Sequence, residues 1–142
     1  MIALKYNIEG GNFSKAGYAS SQVKKTLKQL SIDPRLIKNI VVALYEAEVN
    51  IVAHAFKGTI DVSITPTEVE MLVADDGPGI ENIENAMTAG FSTASAEVRQ
   101  MGFGAGMGLP NIKKNVDEMQ IDTVVGSGTT LKLTKFLKHG NE

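Results

Sequence analysis

Apolar and polar positions alternate over Met1–Glu9, which predicts a strand. Gly10-Gly11-Asn12 marks a turn, and Ser14 is placed to cap a helix running to about Leu30. Asp33-Pro34 begins a second helix, because aspartate suits the cap and proline tolerates the first helical position, where an N–H has no partner anyway. This helix is expected to reach about Phe56 and stop at Gly58. It is apolar nearly all round, so a central, buried helix is predicted. Thr59–Thr65 and Glu68–Ala74 alternate, with Pro66-Thr67 between them, and predict an antiparallel pair. A short helix is expected over about Asn82–Met87. From there to about Gly106 the residues are small and polar without periodicity, which is the composition of a lid. Leu109–Met119 predicts another helix, and Gln120–Val125 and Thr130–Leu137 two closing strands. The sum is one α+β domain over residues 1–142, a two-layer sandwich with a mixed, mostly antiparallel sheet and helices on one face.

Composition narrows the function classes. With 43% hydrophobic and 21% charged residues, the chain is neither a disordered tail nor a coiled coil. Fourteen basic against sixteen acidic residues leave a net charge of −2, which gives no electrostatic case for nucleic acid or an anionic membrane. Zero cysteines exclude a disulfide scaffold, a thiolate metal site and a cysteine nucleophile. The opening residues read as a strand and not as an export signal, and no run reaches the ~18 apolar residues of a membrane helix. A cytoplasmic protein is therefore expected. The outlier is glycine, at fourteen residues, and the tight glycine clusters are where chemistry is sought.

Glu46, Asn50 and His54 recur every fourth residue and so line one face of the buried helix, drifting ~40° per step. Polar groups on an apolar helix are costly unless partnered. They are read either as satisfied edge residues or as a general base (Glu46) beside an oxygen ligand for a hard cation such as magnesium (Asn50). Glu48 lies off that line and is expected to be structural. Asp75-x-Gly77-x-Gly79-Ile80 leaves a strand with an acceptor at its end and glycines that let a planar ligand approach the backbone; it is also simply a good turn. Such a carboxylate can accept from an exocyclic amine like that of adenine. Gly102-x-Gly104-Ala105-Gly106-Met107-Gly108-Leu109 runs into a helix and offers backbone N–H groups to a phosphate, or else a hinge. Its spacing is neither the dinucleotide fingerprint nor a P-loop. Thr129 shares strand parity with Leu131 and Leu133, so its hydroxyl is expected to face inward, towards Asp75.

Taken together and in order, Glu46-Ala-Glu-Val-Asn50 resembles the N box of the Bergerat-fold ATPases, the superfamily of gyrase, MutL and histidine kinases. Asp75-x-Gly77-x-Gly79-Ile80 resembles their first glycine box, Gly104-Ala-Gly106-Met-Gly108-Leu109 the second, and Gly128-Thr129 the closing threonine motif. Within the superfamily the chain is similar to the small bacterial anti-sigma factor serine kinases and their switch-kinase relatives. The resemblance implies a histidine-kinase-like ATPase fold, ATP and Mg²⁺ as ligands, and phosphorylation of a serine or threonine on a STAS-domain antagonist. It further implies Asp75 and Thr129 on adenine, Asn50 on magnesium, the Gly104–Gly108 backbone on the phosphates, and Glu46 on the incoming hydroxyl. An anti-sigma factor that sequesters a sigma factor or other partner is the alternative. No motif carries the sigma factor, and a homodimer is left open. Arg99 is the only charged lid residue placed to meet the γ-phosphate.

Overall fold

The computed structural model describes residues 1–80, 82–87 and 108–137. Five strands, β1 (Ile2–Glu9), β2 (Lys57–Ile64), β3 (Glu68–Asp75), β4 (Glu118–Val124) and β5 (Gly128–Phe136), form one sheet in the order β1-β2-β3-β5-β4. Every pairing among the described strands is antiparallel, so the expected mixed sheet sharpens to an antiparallel one. The helices are α1 (Tyr18–Gln29), α2 (Pro34–His54), α3 (Ile83–Ala86) and α4 (Gly108–Asn115).

Alternation decides which face of the sheet is covered. Ile60, Val62 and Ile64 of β2, Val69, Met71 and Val73 of β3, and Leu131 and Leu133 of β5 are buried, while most of their neighbours in sequence are not. Against them pack Ile37, Ile40, Leu44 and Ile51 of α2, Val23 and Leu27 of α1, and Leu109 and Ile112 of α4. This is the two-layer α+β sandwich expected. The Asp33 side chain accepts from the Arg35 N–H at 2.9 Å and caps α2, with Pro34 at its first position, also as expected.

Three boundaries differ from expectation. Ser14 does not cap α1; it lies in a short 3₁₀ turn, and α1 starts after Gly17, whose φ of 96° only glycine adopts cheaply. Gly58 does not end α2. The helix stops at His54, and the Asp76 carboxylate accepts from the N–H groups of Phe56 (3.0 Å) and Lys57 (2.9 Å) to fix the turn into β2. Gly58 is a buried strand residue instead. A Cβ there would lie 2.8 Å from Ile51 Cδ1, so glycine sets how closely α2 crosses the sheet. The helix expected over Leu109–Met119 ends at Asn115 because Asp117 is drawn to β5: its N–H donates to Thr134 O (2.9 Å) and its carboxylate accepts from Phe136 N–H (2.7 Å).

Candidate functional site

Gly58, Asp75, Thr129 and Thr123 are successive cross-strand partners on β2, β3, β5 and β4, and share parity with the buried residues. They form a row across the end of the sheet on its helix-facing side. Asp75 ends β3, and its Oδ1 accepts the Gly77 N–H at 2.8 Å. Burial pushes its pKa above the ordinary aspartate range, while the N–H groups of Gly77 and Thr129 pull it back. Gly128 has φ +133°, and a Cβ there would run into the Asp75 carbonyl oxygen, so β3 and β5 can bring Thr129 beside Asp75 only with glycine at 128. The Thr129 Oγ1 is 2.9 Å from Thr123 Oγ1, which in turn accepts the Ile80 N–H at 2.8 Å. The loop through Gly77 and Gly79 is thereby tied to the β4–β5 hairpin, and Gly126 N–H to Pro78 O (2.8 Å) adds a second tie.

The polar line of α2 faces α4 at one end and Asp75 at the other. A Cβ on Gly108 would lie 2.9 Å from Asn50 Nδ2 and 3.0 Å from its Oδ1, so the first turn of α4 rests on the Asn50 amide because residue 108 is glycine. One turn back along α2, Glu46 Oε1 is 3.5 Å from Asn111 Nδ2, a loose contact. Burial raises the Glu46 pKa and the Asn111 amide partly offsets this. His54, the last residue of α2, has its pKa lowered by burial, opposed by the charge of Asp75. Leu109 is buried and Ile80 half-buried against the core, beneath these groups. Gly104, Ala105, Gly106, Met107 and Arg99 lie outside the described residues.

Glu48 points elsewhere. Its carboxylate is 1% exposed and accepts the N–H groups of Gly17 (3.0 Å), Ala19 (3.1 Å) and Ser20 (3.0 Å), capping α1 from a neighbouring helix. A cavity of about 730 Å³ opens on that side of α2, lined by Asn12, Lys15, Tyr18, Glu48 and Lys57 among others. Among the described residues it shares only Asp75 with the expected site and touches none of α4, so it lies apart from Glu46 and Asn50.

Two residues of the arrangement were not foreseen. Asn111 stands three positions after Gly108, and helical spacing alone puts it on the same face. Thr123 continues the alternation Met119, Ile121, and so could have been paired with Thr129 by parity.

Residues 15–135 match the family model of the histidine kinase-like ATPase domain. The chain belongs to this family. It is 31% identical over 142 residues to an anti-sigma F factor of Caldanaerobacter subterraneus subsp. tengcongensis, covering 96% of this chain and 94% of the relative. It is 33% identical over 103 residues to the serine/threonine-protein kinase RsbT of Bacillus subtilis, covering 70% and 71% of the two. In structure it resembles the RsbU and RsbW domains of a Mycobacterium tuberculosis protein, with a TM-score of 0.65 at 18% identity over 98% of this chain and 34% of that one. A mycobacterial sensor histidine kinase, MprB, gives 0.53 at 16% identity over 95% and 97%. At these identities the two structures speak to the fold alone. The family membership implies nucleotide use.

Proposed function

We propose that the chain is a protein kinase that binds ATP between α2 and α4 and transfers its γ-phosphoryl group to a serine or threonine of a small STAS-domain protein. The observation that carries this is the juxtaposition of Asn50 with the glycine start of α4, and of Glu46 with Asn111 one turn away. That geometry sets an amide oxygen and a carboxylate side by side where a helix N-terminus favours phosphate. At the other end of α2, Asp75 offers an acceptor beside the Thr129 hydroxyl, a pattern matched to an amine next to a ring nitrogen.

The donor set fits magnesium only in company. Among the described residues no three carboxylates or histidines gather as a metal site, so a Mg²⁺ held by Asn50 would complete its shell with phosphate oxygens and water. Its contribution would be to neutralise charge on the phosphates. Glu46 would orient the incoming hydroxyl and accept its proton. A carboxylate made more basic by burial suits that task, as long as it stays ionised near neutral pH. Asp75 and Thr129 would fix the adenine, and the backbone of residues 104–108 would hold the phosphates. No helix among the described residues is long and apolar enough to cross a membrane. The proposed reaction consumes ATP and is placed in the cytoplasm on that ground.

The deciding experiment is incubation of the protein with γ-labelled ATP and a purified STAS-domain protein from the same organism. Label on a serine or threonine supports the kinase. A stable unlabelled complex, with that protein or with a sigma factor, points instead to sequestration, in keeping with the name of the anti-sigma F relatives.

A further inference from the structure

Thr123 occupies a pivotal place that none of the four sequence motifs includes. Its hydroxyl accepts the Ile80 N–H at 2.8 Å, which uses one lone pair. Its single proton then has two candidate acceptors: Gly128 O at 3.3 Å and Thr129 Oγ1 at 2.9 Å. A hydroxyl-to-oxygen hydrogen bond spans about 2.5–3.0 Å, so only the second is a good bond. Only one proton fits between two hydroxyl oxygens. The second lone pair of Thr123 can take it from Thr129, but the Thr123 proton is then left with the long Gly128 O contact; with Thr123 donating at 2.9 Å instead, the Thr129 proton is released to point elsewhere. Beside it, on the Cα-paired residue of β3, lies the half-buried Asp75 carboxylate, whose Oδ1 already accepts the Gly77 N–H. An acceptor and a hydroxyl donor turned away from Thr123 complement the edge of adenine that carries its amine beside the N1 acceptor.

We infer that Thr123 is a positioning residue for nucleotide recognition: it holds the Thr129 hydroxyl as a donor towards the adenine N1, directly or through one water. Thr123 does not itself touch the nucleotide. It acts through Thr129, and the Ile80 N–H, which takes one of its two lone pairs, ties the pair to the loop of the first glycine motif. The inference rests on the ATP reading above and adds to it a source of base selectivity.

The test compares ATP with 1-deaza-ATP, which keeps the amine and replaces N1 by C–H, by calorimetric titration of the full chain. Wild type should prefer ATP by roughly 3–10-fold, the worth of one neutral hydrogen bond. Thr123→Val, which keeps shape and loses the hydroxyl, should bring that preference close to one, as should Thr129→Val. Thr123→Ser should retain it. Thr123→Ala serves the same purpose if the valine variant does not fold, with thermal unfolding of the free protein measured alongside. A Thr123→Val or Thr123→Ala protein that binds both nucleotides more weakly but keeps the wild-type preference overturns the inference, since that is what a packing role alone would give. So does a wild type that prefers ATP to GTP yet does not distinguish ATP from 1-deaza-ATP, and in that case the ATP reading stands. A wild type that binds no adenine nucleotide overturns both.

Discussion

Replacing Glu48 by glutamine isolates a structural carboxylate that sits two residues from the proposed catalytic one. The carboxylate takes three backbone N–H groups from the start of α1: two on Oε2, from Gly17 and Ala19, and one on Oε1, from Ser20. Glutamine has one oxygen. Its best placement keeps that oxygen over Gly17 and Ala19 and turns an NH₂ against the Ser20 N–H, donor facing donor. One charge-assisted bond, worth about 1.5–3 kcal/mol, is lost, and the other two fall to the strength of neutral ones. The favourable meeting of a negative charge with the N-terminus of α1 disappears as well. The group is 1% exposed, so water cannot make up the loss. The expected destabilisation is roughly 2–4 kcal/mol, a large share of the ~5–15 kcal/mol that holds a domain together.

Urea unfolding followed by far-ultraviolet circular dichroism measures this directly, and the melting temperature should fall by roughly 5–15 °C. Well below that temperature, ATP affinity and phosphoryl transfer should stay within a few-fold of wild type, because the carboxylate points at α1, away from Asn50 and α4. A loss of stability under about 1 kcal/mol would refute the clasp as an energetic feature. A drop in transfer larger than that of a Glu46 variant would refute the division of roles along α2.

Glu46→Ala should leave ATP affinity within a few-fold and cut phosphoryl transfer by about 10²–10⁴, whereas Asn50→Ala should weaken nucleotide binding and its dependence on magnesium; titration and single-turnover assays separate the two. Gly108→Ala sets a Cβ about 3 Å from the Asn50 amide, and should weaken ATP binding in the presence of magnesium more than in its absence, read by the same titration. Asp75→Asn should lower ATP affinity by about five- to 150-fold, and wild type should bind GTP less well than ATP. Because burial raises the Asp75 pKa, the native state keeps a proton that the unfolded chain has already lost just above the ordinary aspartate range. Stability contributed by this group therefore falls as pH rises through that interval, and Asp75→Asn without nucleotide should be at least as stable as wild type at neutral pH in urea. The His54 pKa is lowered, so the opposite sign holds: below the ordinary value of about 6.5 the unfolded chain takes a proton that the native state refuses. Stability should drop as pH falls through that region, less steeply in His54→Asn.

Much of the architecture was legible because its causes are local. Alternation marks the strands, with β4 starting two residues earlier than expected, Asp33-Pro34 marks the start of α2, and parity points Thr129 towards Asp75. What failed depended on partners distant in the chain. Ser14 resembles a cap, but the cap of α1 comes from Glu48, about thirty residues on, and no local pattern announces it. Gly58 resembles a helix stop, but Asp76, twenty residues away, holds the turn, and the glycine serves the approach of Ile51. Asn115 ends α4 early because Asp117 is claimed by β5. Of the site residues, Glu46 and Asn50 lie on α2, Gly108 and Leu109 start α4, Asp75 and Thr129 stand paired at the end of β3 and β5, and Gly77, Gly79 and Ile80 follow β3. Their chemical roles remain the proposal that the titrations test.

Opposite faces of α2 carry opposite obligations, and this explains why an otherwise apolar helix tolerates three acids and amides within five residues. Glu46 and Asn50 face α4, where the contact of Glu46 with Asn111 is long and burial makes its ionised form costly. Asp75, at the other end of the polar line, is also held against its preference by burial. Such groups reduce the stability of the free protein and become useful only when a ligand supplies the missing partners. Glu48, two positions from Glu46 and Asn50 alike, is turned about 160° away and fully satisfied. Its three hydrogen bonds lock α1 to the middle of α2, at the level where the strained cleft lies on the other side. Stability gained on one face of the helix thus offsets strain on the other. The consequence can be measured: in Glu48→Gln, saturating ATP should restore more of the lost melting temperature than it adds to Asp75→Asn, because only the first keeps the groups that ATP would satisfy.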